Sequence, residues 1–181
     1  MNDSEQANIT TNPSTTNPST TNPSTKTVEL GAWVLPIGHG ASVAIGQDEL
    51  KYIDYDKNTV TLPGLPAYCE KGFQWRDHFI PALDLYSLAE RRRIPMAEGE
   101  QMVAIIAYEN NLGKIEFGAI FLRGVPKLML VNPQQSVSVA ELKTAWRLLS
   151  HAAFKDQDNI YPVLDLRCLF DKTPADLLVL H

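Results

Sequence analysis

Two aspartates in identical Leu-Asp-Leu settings, Asp84 and Asp165, stand 81 residues apart in this chain of 181. Paired carboxylates related by a duplication suggest an aspartic hydrolase, in which two acids share a proton at close range on loops of small residues. Here each aspartate is wedged between leucines, with no glycine after it, directly ahead of a Leu-rich segment. A carboxylate so placed accepts N–H bonds from the first turn of a helix and meets the positive end of its dipole. Helix capping is therefore the reading carried forward, and a duplicated β-barrel hydrolase using Asp84 and Asp165 is the alternative. Other reactive side chains are scattered. His39, His78, His151 and His181 form no His-x-x-x-His or Cys/His cluster, so no metal site is expected. Cys69 and Cys168 have no neighbouring base, and two cysteines make no disulfide framework. Gly38-His39-Gly40 lacks the Lys-Ser/Thr and the following helix of a phosphate loop. The expectation is a protein with no catalytic residue, cofactor or metal.

The aspartates belong to a longer repeat. Residues 72–89, GFQWRDHFIPALDLYSLA, align without gaps on residues 153–170, AFKDQDNIYPVLDLRCLF, with 7 identities in 18 positions. Each copy reads as strand, tight turn, strand and short helix, so the domain was built twice. Pro81 and Pro162 each remove a ladder donor, which places them at a sheet edge or where that N–H would face no neighbour. The second turn, Asp156-Gln157-Asp158-Asn159, is plainly polar. The first holds Trp75-Arg76-Asp77-His78. Trp and Arg at a turn tip are the types enriched at binding hot spots, and a guanidinium offers a planar fork to a carboxylate.

Short apolar runs separated by turn residues predict strands over 28–37, 42–45, 59–62, 72–75, 79–83, 102–108, 114–122, 127–131, 151–155 and 160–164. Their Val, Ile, Phe and Tyr content points to small antiparallel sheets or barrels rather than βαβ units. Asn110-Asn111-Leu112-Gly113 reads as a hairpin loop. Val139, Leu142, Trp146 and Leu149 predict a helix over 139–149, and Gly124-Val125-Pro126 punctuates two strands. Arg91-Arg92-Arg93 reads as a solvated edge. Ahead of the strands, the pentapeptide TNPST occurs three times, at 11–15, 16–20 and 21–25. With proline every fifth residue and little to bury, residues 1–26 are expected to be a disordered low-complexity tail. A net charge of −5 disfavours nucleic acid as a partner. No apolar stretch approaches the ~18 residues of a membrane helix, and the first residues lack a secretory signal pattern. Direct membrane insertion is not expected, and a cytoplasmic location is.

The order Gly72, Trp75-Arg76, Ile80-Pro81, Leu83-Asp84-Leu85, echoed by Tyr161-Pro162-Val163-Leu164-Asp165-Leu166, resembles the chemotaxis coupling protein (CheW-like) family. The resemblance covers about 27–176. It implies a mainly β fold of two SH3-like, five-stranded barrel subdomains around a shared core, the first about 27–97 and the second about 98–176, within a CheW-like domain of 27–181. It implies no catalysis, and partners that are a methyl-accepting chemoreceptor and a CheA-type histidine kinase. The stretch 117–131, FGAIFLRGVPKLMLV, resembles the coupling-like proteins of type IV pilus (twitching) systems. The resemblance marks Arg76 and Gly72 as partner-contact positions, and the family's acidic residue on an early strand best matches Glu49. Asp77 replaces the glycine usual after the turn arginine and is expected to take up its positive φ. Arg123 stands where many members carry an acid.

Overall fold

The computed structural model describes residues 28–55, 59–95, 102–172 and 177. The TNPST tail lies outside them. Twelve strands and three short helices follow in order: β1 (Leu30–Gly38), β2 (Ala41–Gly46), β3 (Leu50–Tyr55), β4 (Thr59–Thr61), β5 (Lys71–Trp75), β6 (His78–Leu83), α1 (Leu85–Glu90), β7 (Met102–Glu109), β8 (Ile115–Leu122), β9 (Lys127–Val131), β10 (Ser136–Val137), α2 (Thr144–Leu149), β11 (Ser150–Asp156), β12 (Asn159–Leu164) and α3 (Leu166–Phe170). They form two curled sheets of six strands each, one more per sheet than the expected five. The strand orders are β3-β7-β8-β6-β5-β4 and β9-β1-β2-β12-β11-β10.

Written in that direction, the two orders superimpose element for element, and the 81-residue repeat is their common part. Equivalent bonds recur at that spacing: Asp84 N donates to Tyr68 O and Asp165 N to Leu149 O, both at 2.8 Å. Each sheet nevertheless draws on both halves of the chain. The hairpin β1–β2 inserts beside β12 and β9, and the hairpin β7–β8 inserts beside β6 and β3. A division of the sequence near residue 97 therefore does not coincide with the division between sheets. The copies have exchanged their first hairpins.

That exchange explains the sequence of β7, which is apolar at every position from Met102 to Tyr108. Val103 and Ile105 face the interior of their own curled sheet, with Phe73, Ile80 and Phe121. Ala104 and Ile106 face the cluster between the sheets, with Leu35, Ile37, Val43 and Ile45 from the other hairpin. A strand buried on both faces reads as a continuous apolar run. A smaller cluster of Ala32, Val34, Ala44 and Phe154 fills the second sheet.

Several sequence expectations need correction. Strands β3 and β10 had no predicted counterpart. Strand β3 lies at an edge and keeps Lys51, Tyr52 and Tyr55 exposed, so its pattern is too polar to stand out. The helix expected over 139–149 is broken into a single 3-10 turn, Val139–Glu141, and α2. Leu142 turns into the core at 6% exposure, and Lys143 at φ −58°, ψ 148° interrupts the helical path. Pro81 and Pro162 occupy interior strands rather than edges. Each is registered opposite its antiparallel neighbour, Pro81 with Gly72 and Pro162 with Ala153. Each also falls just before its strand's parallel contact, Ala82 with Ala119 and Val163 with Ala44, so on that side a missing donor meets the second expectation, of an N–H that would face no registered partner.

Because neither sheet is complete without a hairpin from the other copy, the protein should unfold in one calorimetric transition, and Ile106→Ala should lower that transition as a whole by about 2–5 kcal/mol. Two separable transitions would contradict the shared core.

Candidate protein-interaction site

Hairpin β5–β6 closes at the pair Trp75–His78, leaving Arg76 and Asp77 as a two-residue loop. Hairpin β11–β12 closes in the same way at Asp156–Asn159. The first loop residue takes a left-handed backbone in both, φ +51° at Arg76 and +52° at Gln157. The positive φ thus falls on Arg76 and not on Asp77, contrary to the expectation from the replaced glycine. Two copies of one backbone turn carry different side chains, and the difference lies in what they present.

Trp75 is half-buried and leans on Phe117, ring centroids 4.9 Å apart at 55°. The exposed Arg76 guanidinium lies over the indole at 4.5 Å. Flat stacking of a guanidinium on an indole is attractive and leaves the in-plane N–H groups free to donate outward. Together with Lys51, Tyr52, Ala107 and Ile115, these residues line a groove of about 420 Å³. Tyr52 and Ile115 are 54% and 64% exposed on its walls. Among the described residues no carboxylate lines it, although the chain as a whole is acidic. An aromatic floor beneath two cations suits an apolar side chain flanked by carboxylates.

The other residues singled out from sequence are not gathered here. Gly72 is buried, and a Cβ there would meet the Phe79 ring at 2.0 Å. Its role is to let that ring lie over the strand. Glu49 is on no strand: it ends the turn before β3, where its carboxylate accepts from Gly46 N at 2.6 Å and its carbonyl from Ala107 N at 2.9 Å. It lines a different cleft, with His151, Asp165 and Arg167. Lys51, Tyr52, Ile115 and Phe117 were not picked out by sequence reasoning. The one available signal was the alternation of Lys51-Tyr52-Ile53-Asp54-Tyr55.

Asp84 and Asp165 both cap short helices. Asp84 Oδ1 accepts from Ser87 N at 3.1 Å, and Asp165 Oδ1 accepts from Cys168 N at 2.9 Å. They line separate clefts, one with Ser87 and Phe121 and the other with Glu49 and Arg167, so no shared-proton dyad forms. The hydrolase alternative has no geometry to support it. The first cap carries a cation. Arg123 Nη2 donates to Asp84 Oδ2 at 2.8 Å and to the Ile94 carbonyl at 3.1 Å, while Arg123 N donates to the Pro36 carbonyl at 2.8 Å. Arg123 thereby joins β8, β1, α1 and the chain leaving α1. Both side chains of the pair are largely buried, at 15% and 9% exposure. Burial pushes the Cys69 thiol above its ordinary value, with a hydrogen bond from Tyr68 opposing that shift, so its nucleophilic thiolate is disfavoured. Among the described residues, no group of three or more His, Cys, Asp or Glu is placed to hold a metal ion.

Comparison with solved structures places this architecture. The chain superimposes on the scaffolding protein TtCheW from Thermoanaerobacter tengcongensis with a TM-score of 0.66, over 81% of this chain and 91% of that one, at 14% identity. It has a CheW-type fold. No protein-family profile matches the sequence, and no curated protein does. At this identity the likeness is one of fold.

The two caps separate experimentally. Asp165→Ala should cost about 1 kcal/mol, the usual loss of an N-cap. Asp84→Ala should cost about 3–5 kcal/mol, because Arg123 is left as a buried charge without its partner. Denaturant titration of both variants checks this, and equal losses would mean the ion pair contributes nothing.

Proposed function

We propose that this protein is a CheW-like adaptor that holds a methyl-accepting chemoreceptor beside a CheA-type histidine kinase, and that it performs no catalysis. The CheW-type fold carries this reading, joined to the groove at Trp75 and Arg76 as the partner-contact surface. The mechanism is geometric. Two rigidly shared sheets hold the kinase regulatory domain near the receptor tip, so a change in receptor conformation biases the kinase. Arg76 gives a charge-assisted fork to a partner carboxylate, and Trp75 with Phe117 gives it an apolar seat.

The resemblance of residues 117–131 to coupling-like proteins of twitching systems supports a place in type IV pilus motility. Such a protein works in the cytoplasm. Among the described residues, no helix is long and apolar enough to cross a membrane.

Binding to the regulatory domain of a CheA-type kinase and to a receptor-tip fragment, measured by calorimetry, tests the proposal. Dissociation constants on the order of micromolar are expected, with a loss on the order of tenfold or more for Arg76→Glu against at least one partner. The variant's melting temperature should stay close to that of the wild type, since Arg76 is exposed. Equal binding by both proteins would remove Arg76 from the interface, and no binding by the wild type to either partner would overturn the adaptor reading. Loss of twitching with retained swimming in a deletion strain is the expected sign of the pilus assignment.

A further inference from the structure

A second groove, of about 560 Å³, opens where the β1–β2 turn, α1, α2 and β12 meet. Its aromatic wall is made by Tyr86, on which His39 stacks at 4.8 Å, and by Trp146 and Tyr161. Glu90, Glu141 and Lys143 line it as well, so its rim carries both signs of charge. His39, Tyr86 and Glu90 come from the first copy of the repeat unit and the others from the second, so an occupant would bridge the two. Trp146 stays half-exposed while Leu149 of the same helix and Leu142 before it turn into the core.

Rings of this kind accept proline-containing extended segments, because a pyrrolidine packs flat on an aromatic face and a proline-rich chain has little conformational entropy left to lose. Carboxylates beside the rings accept N–H and O–H donors from amide and hydroxyl side chains. A short segment of proline among Asn, Ser and Thr supplies both the rings' apolar partner and the donors that these carboxylates accept. The chain carries three such segments, the TNPST copies, and residues 6–25 contain no charged side chain.

Reach decides which of them can serve. The groove lies at the turn end of β1, and residues 1–27 join at its other end. Nine residues of strand span about 30 Å. Pro23 precedes Val28 by five residues, only ~17 Å of extended chain, whereas Pro18 and Pro13 command ~33 and ~50 Å. We infer that the TNPST repeats are an intramolecular ligand of this groove, with Pro13 or Pro18 seated against Trp146 and the third repeat serving as tether. Tethering raises the local concentration to roughly millimolar, so a contact too weak to hold a free peptide is occupied in the intact chain. A docked repeat ties the two copies together and excludes any other segment from the groove.

The test uses full-length, isotope-labelled protein and NMR. Pro13→Ala/Pro18→Ala should shift the Trp146 indole N–H and the Tyr86 and Tyr161 resonances while leaving Trp33 and Trp75 in place, and Pro23→Ala should leave all of them unchanged. Millimolar synthetic peptide TNPSTTNPST added to the double variant should return the Trp146 signal toward its wild-type position. Unmoved Trp33 and Trp75 signals report that the variants keep their fold. Superimposable wild-type and double-variant spectra would overturn the inference. An equal shift from Pro23→Ala would defeat the reach argument, and a wild-type Trp146 position that moves with protein concentration would assign the tail to a second molecule instead.

Discussion

The reciprocal exchange of hairpins is the constraint on which the rest of the molecule depends. Strands β1, β2, β7 and β8 are each buried on two sides, once inside a curled sheet and once between sheets. Burial of that kind contributes about 25 cal/mol per Å² of apolar surface, and neither copy can obtain it alone. The sheets are consequently held in one relative orientation. Surfaces on the two sheets therefore do not move independently of one another.

Within this shared framework the copies have diverged where divergence costs least. The turns at 76–77 and 157–158 keep one backbone but present Trp-Arg in one place and Asp-Gln in the other. Helix α2 corresponds, at the repeat spacing, to Pro63-Gly64-Leu65-Pro66-Ala67-Tyr68, where two prolines and a glycine at φ +83° exclude a helix. The caps diverge as well. Asp84 is closed by Arg123, while Asp165 opens onto a cleft that also holds Glu49. Pseudo-symmetry in the backbone with asymmetry at the tips yields one groove rimmed by cations, and a second at the junction of the copies walled by rings.

Arg123 shows how one substitution changes a region. An acid at that position would face Asp84 and repel it. The arginine instead draws together the end of β8, the Pro36 carbonyl, the α1 cap and the Ile94 carbonyl. Gly38 must remain without a side chain beside it, since a Cβ there would meet the Arg123 stem at 2.4 Å. The ion pair, the glycine and the chain leaving α1 form one unit, in which Arg123 of the second copy is held by residues of the first.

Much of the fold was legible in the linear chain. The repeat, the all-β texture, the two hairpin turns and the aspartates ahead of Leu-rich segments are local patterns, set by side-chain alternation, proline geometry and hydrogen bonds three residues long. The pairing of those pieces was not. Which hairpin enters which sheet depends on contacts between residues 37 to 119 positions apart, and a period-two pattern is the same whichever neighbour a strand takes. For the same reason sequence reasoning could single out Trp75 and Arg76 as a turn, by residue type alone. It misplaced Glu49 and passed over Lys51, Tyr52, Ile115 and Phe117, whose meaning lies only in standing around that turn. Residue type and spacing determined the units, and long-range packing alone decided their neighbours.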